Sequence, residues 1–432
     1  MAISLFSSAG IGELGILNTG VEVICANELV GSRCQLYKEN YRETKLFEGD
    51  VWHLNEKIIE FSKTQLDGDE LFLVYATPPC QGMSTNGYGK LKAEVEAGRR
   101  APIDARNELV IPALTIIKEV NPKWVLFENV PGMRHTVIEH NGELIKIVDL
   151  IKRELGSKYI GNAEVVECSK FGIPQLRKRL ITVYTRDEAG IDYFKKNGSF
   201  FSMGDQKPLK TLWDAISDFP ILDAKKGLNK DKNDPLHYVN IMNEEKYWWV
   251  ENTKEGDTAF NTQCVNEECR FQLNRKHVDT IENGKAVSSR ETPIYCEKCG
   301  SLLPRPSLID KKTGERRAIR GFHSAYRRMV KDTPARTLTR NFPFEASDNK
   351  IHPTQNRVLS ISEALRIQTI SDYGYKWCVD GKTVNKSVIA DCIGESVPPA
   401  LIEIIVQKMI ELSSGRFEEK GQQKLDFSCS KN

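Results

Sequence analysis

Short apolar runs, cut by glycine and proline and alternating with amphipathic stretches, organise the first 185 residues. "ISLFSSAGIGELGILNTG" starts as a strand, passes a glycine-bearing turn and continues as a helix, and "EVICANE" is a second strand ending in an acid. "KLFEGDVWHL" carries a third strand and turn. The run Leu71 to Ala76 in "ELFLVYATPP" is the fourth strand, stopped by Pro78 and Pro79. A helix over "ARNELVIPALTIIKEV" leads to a fifth strand in "PKWVLFENV", and "EVVECSKFGIPQLRKRLITVYTR" reads as strand, turn and strand. Strands alternating with helices predict an α/β fold with a doubly wound, mostly parallel sheet.

From 186 to 330 the pattern changes to Lys, Asn, Asp and Gly with poor periodicity and a cluster of cysteines. The apolar pattern returns after 331 as two helices, "SISEALRIQTI" and "PPALIEIIVQKMIEL". The expected organisation is a first domain of 1–185 plus 331–415, a smaller domain at 186–330, and a polar tail at 416–432.

Composition narrows the class. Hydrophobic residues make up 40% of the 432 and charged residues 28%, as in a soluble globular chain with ample core. A net charge of +2 makes no bulk case for a nucleic-acid partner, so basic surface must come from local clustering. No apolar run reaches membrane-spanning length, and "MAISLFSSAG" lacks a basic leader, so a cytoplasmic protein with no membrane partner is expected. Eleven cysteines, mostly isolated, point to reduced thiols rather than a disulfide framework.

The candidate chemistry sits at strand ends, where open α/β sheets bind ligands. Cys80 follows two prolines that stiffen the chain at the end of the fourth strand. Its residue type leaves two readings open, a held nucleophile or a small buried apolar side chain. The turn after the first strand, Glu28 at the end of the second and Asp50 at the next strand end suit a nucleoside-like ligand. The lack of a full G-x-G-x-x-G favours S-adenosylmethionine over a dinucleotide. Glu128 ends an apolar strand, where an acid is costly without a task. Gln175, Arg177 and Arg179 alternate, which on a strand sets all three on one face.

Six motifs, in order, resemble the DNA cytosine-5 methyltransferase family across most of the chain outside 186–330. They are "SLFSSAGIGELG", "TPPCQGMS", "ENV", "PQLRKR", "IHPTQNRVLSISEALRIQ" and "IGESVPP". The resemblance implies a Rossmann-like methyltransferase fold with a target recognition domain in the insert. It gives Cys80 covalent attack on carbon 6 of a flipped cytosine, Glu128 a bond to ring nitrogen 3 and the exocyclic amine, and Arg177 and Arg179 electrostatic roles. For S-adenosylmethionine it carries over Phe6, Ala9, Gly10, Glu28, Asp50, Pro79, Leu109, Ser396 and Val397. Gln81 and Ser84 match loop positions that fill the gap or touch the backbone of DNA. This chain departs from the pattern at Ser8 and Ile11, where glycine is expected, and at Glu395, where asparagine is expected.

In the insert, Cys264-x4-Cys269 and Cys296-x2-Cys299 have spacing suited to a zinc ribbon over 264–299, with His277 a weaker substitute ligand. "KKTGERRAIRGFHSAYRRM" is basic with interleaved aromatics, making Arg316, Arg317 and Arg320 candidate DNA-backbone contacts. The expected partner is double-stranded DNA, with a cognate restriction endonuclease acting separately and a nucleoid-associated location. The alternatives are a tRNA cytosine-5 methyltransferase and a catalytically silent zinc-containing DNA-binding protein.

Overall fold

The computed structural model of the chain describes residues 1–79, 105–282 and 285–417. Its centre is a seven-stranded sheet of β1 (Ala2–Leu5), β2 (Val23–Glu28), β3 (Lys45–Glu48), β4 (Leu73–Ala76), β5 (Trp124–Asn129), β6 (Ile160–Glu167) and β7 (Lys178–Thr185). The spatial order is β3-β2-β1-β4-β5-β7-β6. Strands β1 to β5 pair in parallel, and β7 runs antiparallel between β5 and β6. The doubly wound, mostly parallel sheet is therefore present.

Strands β1, β2, β4 and β5 are buried at every position, so they read as continuous apolar runs rather than alternating ones. One face is covered by helices Val51–Leu66, Val110–Val120 and Ile147–Leu155 through Ile58, Leu114, Ile117 and Leu150. The other is covered by helices Glu188–Asn197 and Pro399–Ser413, with Phe194, Leu401, Ile405 and Met409 packed beside Trp124 and Leu126. The chain ends meet at Gly15, where an added Cβ would lie 2.3 Å from the Pro399 carbonyl oxygen. Only glycine lets the first helix approach the last this closely.

Leu212 and Ile216 pack with Ala364 and Ile367 of the helix Ile361–Ile367. That helix opens on a capping box between Ser360 and Glu363. Fully buried Glu363 also takes a two-pronged pair from Arg357, at 2.6 and 2.7 Å. Burial pushes the Glu363 carboxyl up, but the Arg357 bonds outweigh it and hold the group below its ordinary range. Beyond 244 a separate small core forms from Trp249, Val250, Phe260 and Tyr326, joined by Ile351. Among the described residues, no helix is long and apolar enough to cross a membrane.

Candidate functional site

The parallel strands bring their carboxyl ends to one edge. At β1 the chain turns through Phe6 and Ser8, both left-handed, with φ of 61° and 51°. Such a backbone costs a non-glycine residue roughly 1 kcal/mol, which is why glycine is the expected occupant at Ser8. Here the Ser8 N–H donates to Glu28 Oε2 at 2.7 Å, and the bond offsets that cost. Ile11 begins the helix Ile11–Asn18 with ordinary helical backbone, so glycine is not needed there.

Glu28 is buried, and its Oε1 accepts from the Val30 N–H at 2.8 Å. One amide on each oxygen fixes the carboxylate and leaves further lone pairs for ribose hydroxyls. Beside it Leu29 is 66% exposed, an apolar side chain left in solvent at the mouth of the turn. Asp50 caps the helix Val51–Leu66 by accepting from the Trp52 N–H at 3.0 Å. Ala9 and Val397 are buried in the core, so their backbone is what they can offer a ligand. Leu109 precedes the helix Val110–Val120 and packs on the core, and the Gly10 carbonyl accepts from Tyr41.

Glu395 does not stand as a lone negative charge: Arg33 Nη2 lies 2.5 Å from its Oε2. The two residues are 362 apart, so the sequence had no local signal for the pair. Gln368 joins the two halves of the site, accepting from Gln175 Nε2 at 2.7 Å and donating to the Ser396 carbonyl at 2.8 Å. Beneath the turn Glu13 is fully buried and accepts from Ser4, and burial lifts its carboxyl to about 7 against the bonds from Ser4 and Ser7.

The β4 end is tied on both sides. Thr77 Oγ1 donates to the Phe6 carbonyl and Asn129 Nδ2 to the Pro78 carbonyl, both at 2.8 Å. The segment that leads into Cys80 is thus held against the end of β5, beside Glu128. Cys80, Gln81 and Ser84 lie outside the described residues, as does all of the tail beyond Phe417.

Glu128 is buried at the β5 end. Arg179 Nε forms an ion pair with Glu128 Oε1 at 2.6 Å. Burial raises the Glu128 carboxyl above its ordinary value, opposed by Arg179 and then Arg177. An acid raised by burial can carry a proton to a ligand. Gln175, Arg177 and Arg179 all face inward while Lys178 is exposed, so the predicted alternation holds. Arg177 is fully buried and donates to the carbonyls of Leu338 and Gly394, both at 2.8 Å.

In the insert the four cysteines converge, with all sulfurs within 4.8 Å of one another. Cys264 and Cys299 are 3.7 Å apart and Cys269 and Cys296 are 3.9 Å apart. A zinc tetrahedron with Zn–S of about 2.3 Å needs sulfurs roughly 3.8 Å apart, so the set fits. Burial pushes the Cys264 and Cys269 thiols up, while backbone N–H groups of Asn266, Phe271, Lys298 and Ser301, each two residues beyond a cysteine, bond to the four sulfurs in the opposite sense, and Cys296 and Cys299 are lowered. Arg305 is fully buried nearby, and among the described residues its Nη2 has no partner and it makes no ion pair with a carboxylate. A tetrathiolate centre supplies the negative charge that such a guanidinium lacks. His277 is not a ligand, because its ring nitrogens face Thr292 and the Gly321 carbonyl. Elemental analysis is expected to find about one zinc per chain, and Cys296→Ser to lose it. Metal-free wild-type protein with four freely titrating thiols would remove the centre.

The basic segment is largely committed to internal partners. Arg316 pairs with Glu245, Arg317 Nε lies 2.8 Å from Asp310, and exposed Arg320 donates to the Ser288 carbonyl at 2.9 Å.

A family profile of C-5 cytosine-specific DNA methylases matches residues 1–411. The chain is 28% identical over 423 residues to the type II methyltransferase M1.HgaI of Avibacterium volantium, covering 95% of this chain and 98% of the relative. It is 24% identical over 411 residues to the type II methyltransferase M.AgeI of Thalassovita gelatinovora, covering 86% and 91%. A crystal structure described as a DNA modification methyltransferase encoded within a prophage of E. coli superposes with a TM-score of 0.53 at 20% identity, over 96% of this chain and 99% of that one.

Proposed function

The chain belongs to the C-5 cytosine-specific DNA methylase family, and from that premise we infer how its residues divide the work of methylating cytosine. It is an enzyme that uses S-adenosylmethionine and acts on DNA. Carbon 5 of cytosine is a poor nucleophile until a thiolate adds to carbon 6. In the proposed mechanism Cys80 makes that bond, while Glu128 gives a proton to ring nitrogen 3 and accepts from the exocyclic amine. The resulting enamine attacks from carbon 5. Bound S-adenosylmethionine supplies the electrophilic methyl group. Loss of the carbon 5 proton to solvent then expels the Cys80 thiolate, and ring nitrogen 3 returns its proton to Glu128, which restores the ring. Arg179 holds Glu128 and the base oxygen by charge, and the target base is flipped out of the duplex to reach them.

The observation that carries this reading is the buried Glu128, its carboxyl raised by burial and ion-paired with Arg179, next to the anchored end of β4. Arg177 supports it at one remove, by fixing the segments around Leu338 and Gly394. For the cofactor we assign Glu28 to the ribose and the Phe6–Gly10 turn with Ser396 to the methionine end. The insert reads the duplex, with zinc holding its cysteine ribbon. Because Phe194 packs on the sheet and Ile216 on Ile367, we place the boundary of the recognition domain near 220 rather than at 186.

The relatives are type II methyltransferases, and we extend that role here: a modification enzyme whose paired endonuclease cuts the same unmethylated site. The test is methyl transfer from labelled S-adenosylmethionine to duplex DNA and, in parallel, to tRNA, followed by nucleoside analysis. 5-Methylcytosine in DNA alone is the expected result. Label confined to tRNA would overturn the substrate assignment.

A further inference from the structure

Most of the arginines expected to grip DNA are paired within the protein, so the cations that meet the duplex near the reacting base must lie elsewhere. The segment from Arg336 to Arg340 stands out. It is pinned at one end against Gln175 and Leu176 and at the other against Gly394. Arg336 is in register with Leu176, and the Leu338 N–H donates to Gln175 Oε1 at 3.0 Å. The Leu338 carbonyl takes the Arg177 guanidinium at 2.8 Å. At the far end the Arg340 backbone presses on Gly394, where an added Cβ would lie 2.1 Å from the Arg340 nitrogen. Glycine at 394 is thus required by close approach, and the segment cannot move without disturbing the last motif.

On this fixed base the side chains of Arg336 and Arg340 are exposed, and among the described residues neither makes an ion pair or a side-chain hydrogen bond. Buried Arg177 and fully buried Lys350 lie behind, and Lys350 donates to the Thr337 carbonyl at 2.7 Å. Burial lowers Lys350 to about 8, opposed by Asp348 and assisted by Arg177 and Arg336. Two exposed arginines on one fixed segment, without an ion pair among the described residues, suit an anion.

We propose that Arg336 and Arg340 bind phosphates of the duplex beside the flipped cytosine, clamping the strand while Glu128 and Arg179 hold the base. This rests on the duplex-methylation reading and adds its positioning contacts. Phosphate contacts fix register without reading sequence, and each released counterion adds to the salt dependence of binding.

The test is duplex affinity of the full chain, measured by fluorescence anisotropy across a series of sodium chloride concentrations. Arg336→Gln and Arg340→Gln should each lower the slope of log affinity against log salt by about 1, and the double variant by about 2. Preference between target and non-target duplexes, S-adenosylmethionine affinity and Tm should stay at wild-type values. Arg316→Gln and Arg317→Gln, whose guanidinium groups are paired internally, should leave the slope unchanged. Wild-type slopes in the Arg336 and Arg340 variants, or an equal fall in the Arg316 and Arg317 variants, would overturn the placement. A wild-type chain whose duplex affinity shows no salt slope would overturn the duplex reading itself, and this placement with it.

Discussion

Cys80→Ala is expected to reduce methyl transfer by roughly ten-thousand-fold or more, since removing a covalent nucleophile takes away the step itself rather than assisting it. S-adenosylmethionine and duplex DNA should still bind within a few-fold of wild type. The contacts that place the segment before Cys80 come from Thr77 and Asn129, which the substitution leaves intact. The measurement is single-turnover transfer to a duplex, together with trapping on a duplex carrying 5-fluorocytosine at the target. Wild-type enzyme should form a complex that survives denaturation, because the fluorine cannot leave as the carbon 5 proton does. The Cys80→Ala variant should form none. Turnover that survives in Cys80→Ala would end the covalent mechanism.

Glu128→Gln should lower kcat by about 10²–10³-fold, the usual loss when a donor to developing charge is removed. The amide can still bond to the base but cannot give up a proton. Burial raises the Glu128 carboxyl, so its protonated form survives to higher pH than in an ordinary glutamate. Wild-type kcat should therefore fall as pH rises through that raised value, and Glu128→Gln should lack this limb. Stability follows the same sign. A group whose folded pKa is raised contributes stability that is present below the unfolded value and is lost as pH rises through the folded one. The neutral amide has no such loss, so at pH 8 the variant should melt no lower than wild type. A variant that loses turnover together with several degrees of Tm would recast Glu128 as a structural anchor for Arg179.

The segment that carries Gln175 and Arg177 is tied to the last motif. Gln368 reaches from Gln175 to Ser396, and Arg177 from its strand to Gly394. A substitution in "IGESVPP" can thus disturb the base pocket as well as the cofactor turn, because the same backbone serves both.

The sequence alone determined the parts whose signals are local. Buried parallel strands read as unbroken apolar runs because both faces of the sheet are covered. The period-two pattern of Gln175, Arg177 and Arg179 put three polar groups on one inward face, and the cysteine pairs announced a cluster that the fold does assemble. Six motifs in order were enough to point to the family.

Only the tertiary structure decided what depends on residues far apart in the chain. Glu395 read as an uncompensated charge until Arg33 was found beside it. Ser8 read as a missing glycine until Glu28 was seen to stabilise its left-handed backbone. The basic run at 316–320 suggested a DNA contact, yet Glu245 and Asp310 neutralise its first two arginines. Meanwhile the unremarkable "ARTLTR" carries Arg336 and Arg340, exposed and, among the described residues, without an ion pair, on a segment whose start pairs with Gln175 and Leu176. The physical reason is common to all four. Strand and helix patterns follow from neighbours a few residues away, whereas the net charge of a site is a sum over groups that only folding brings together.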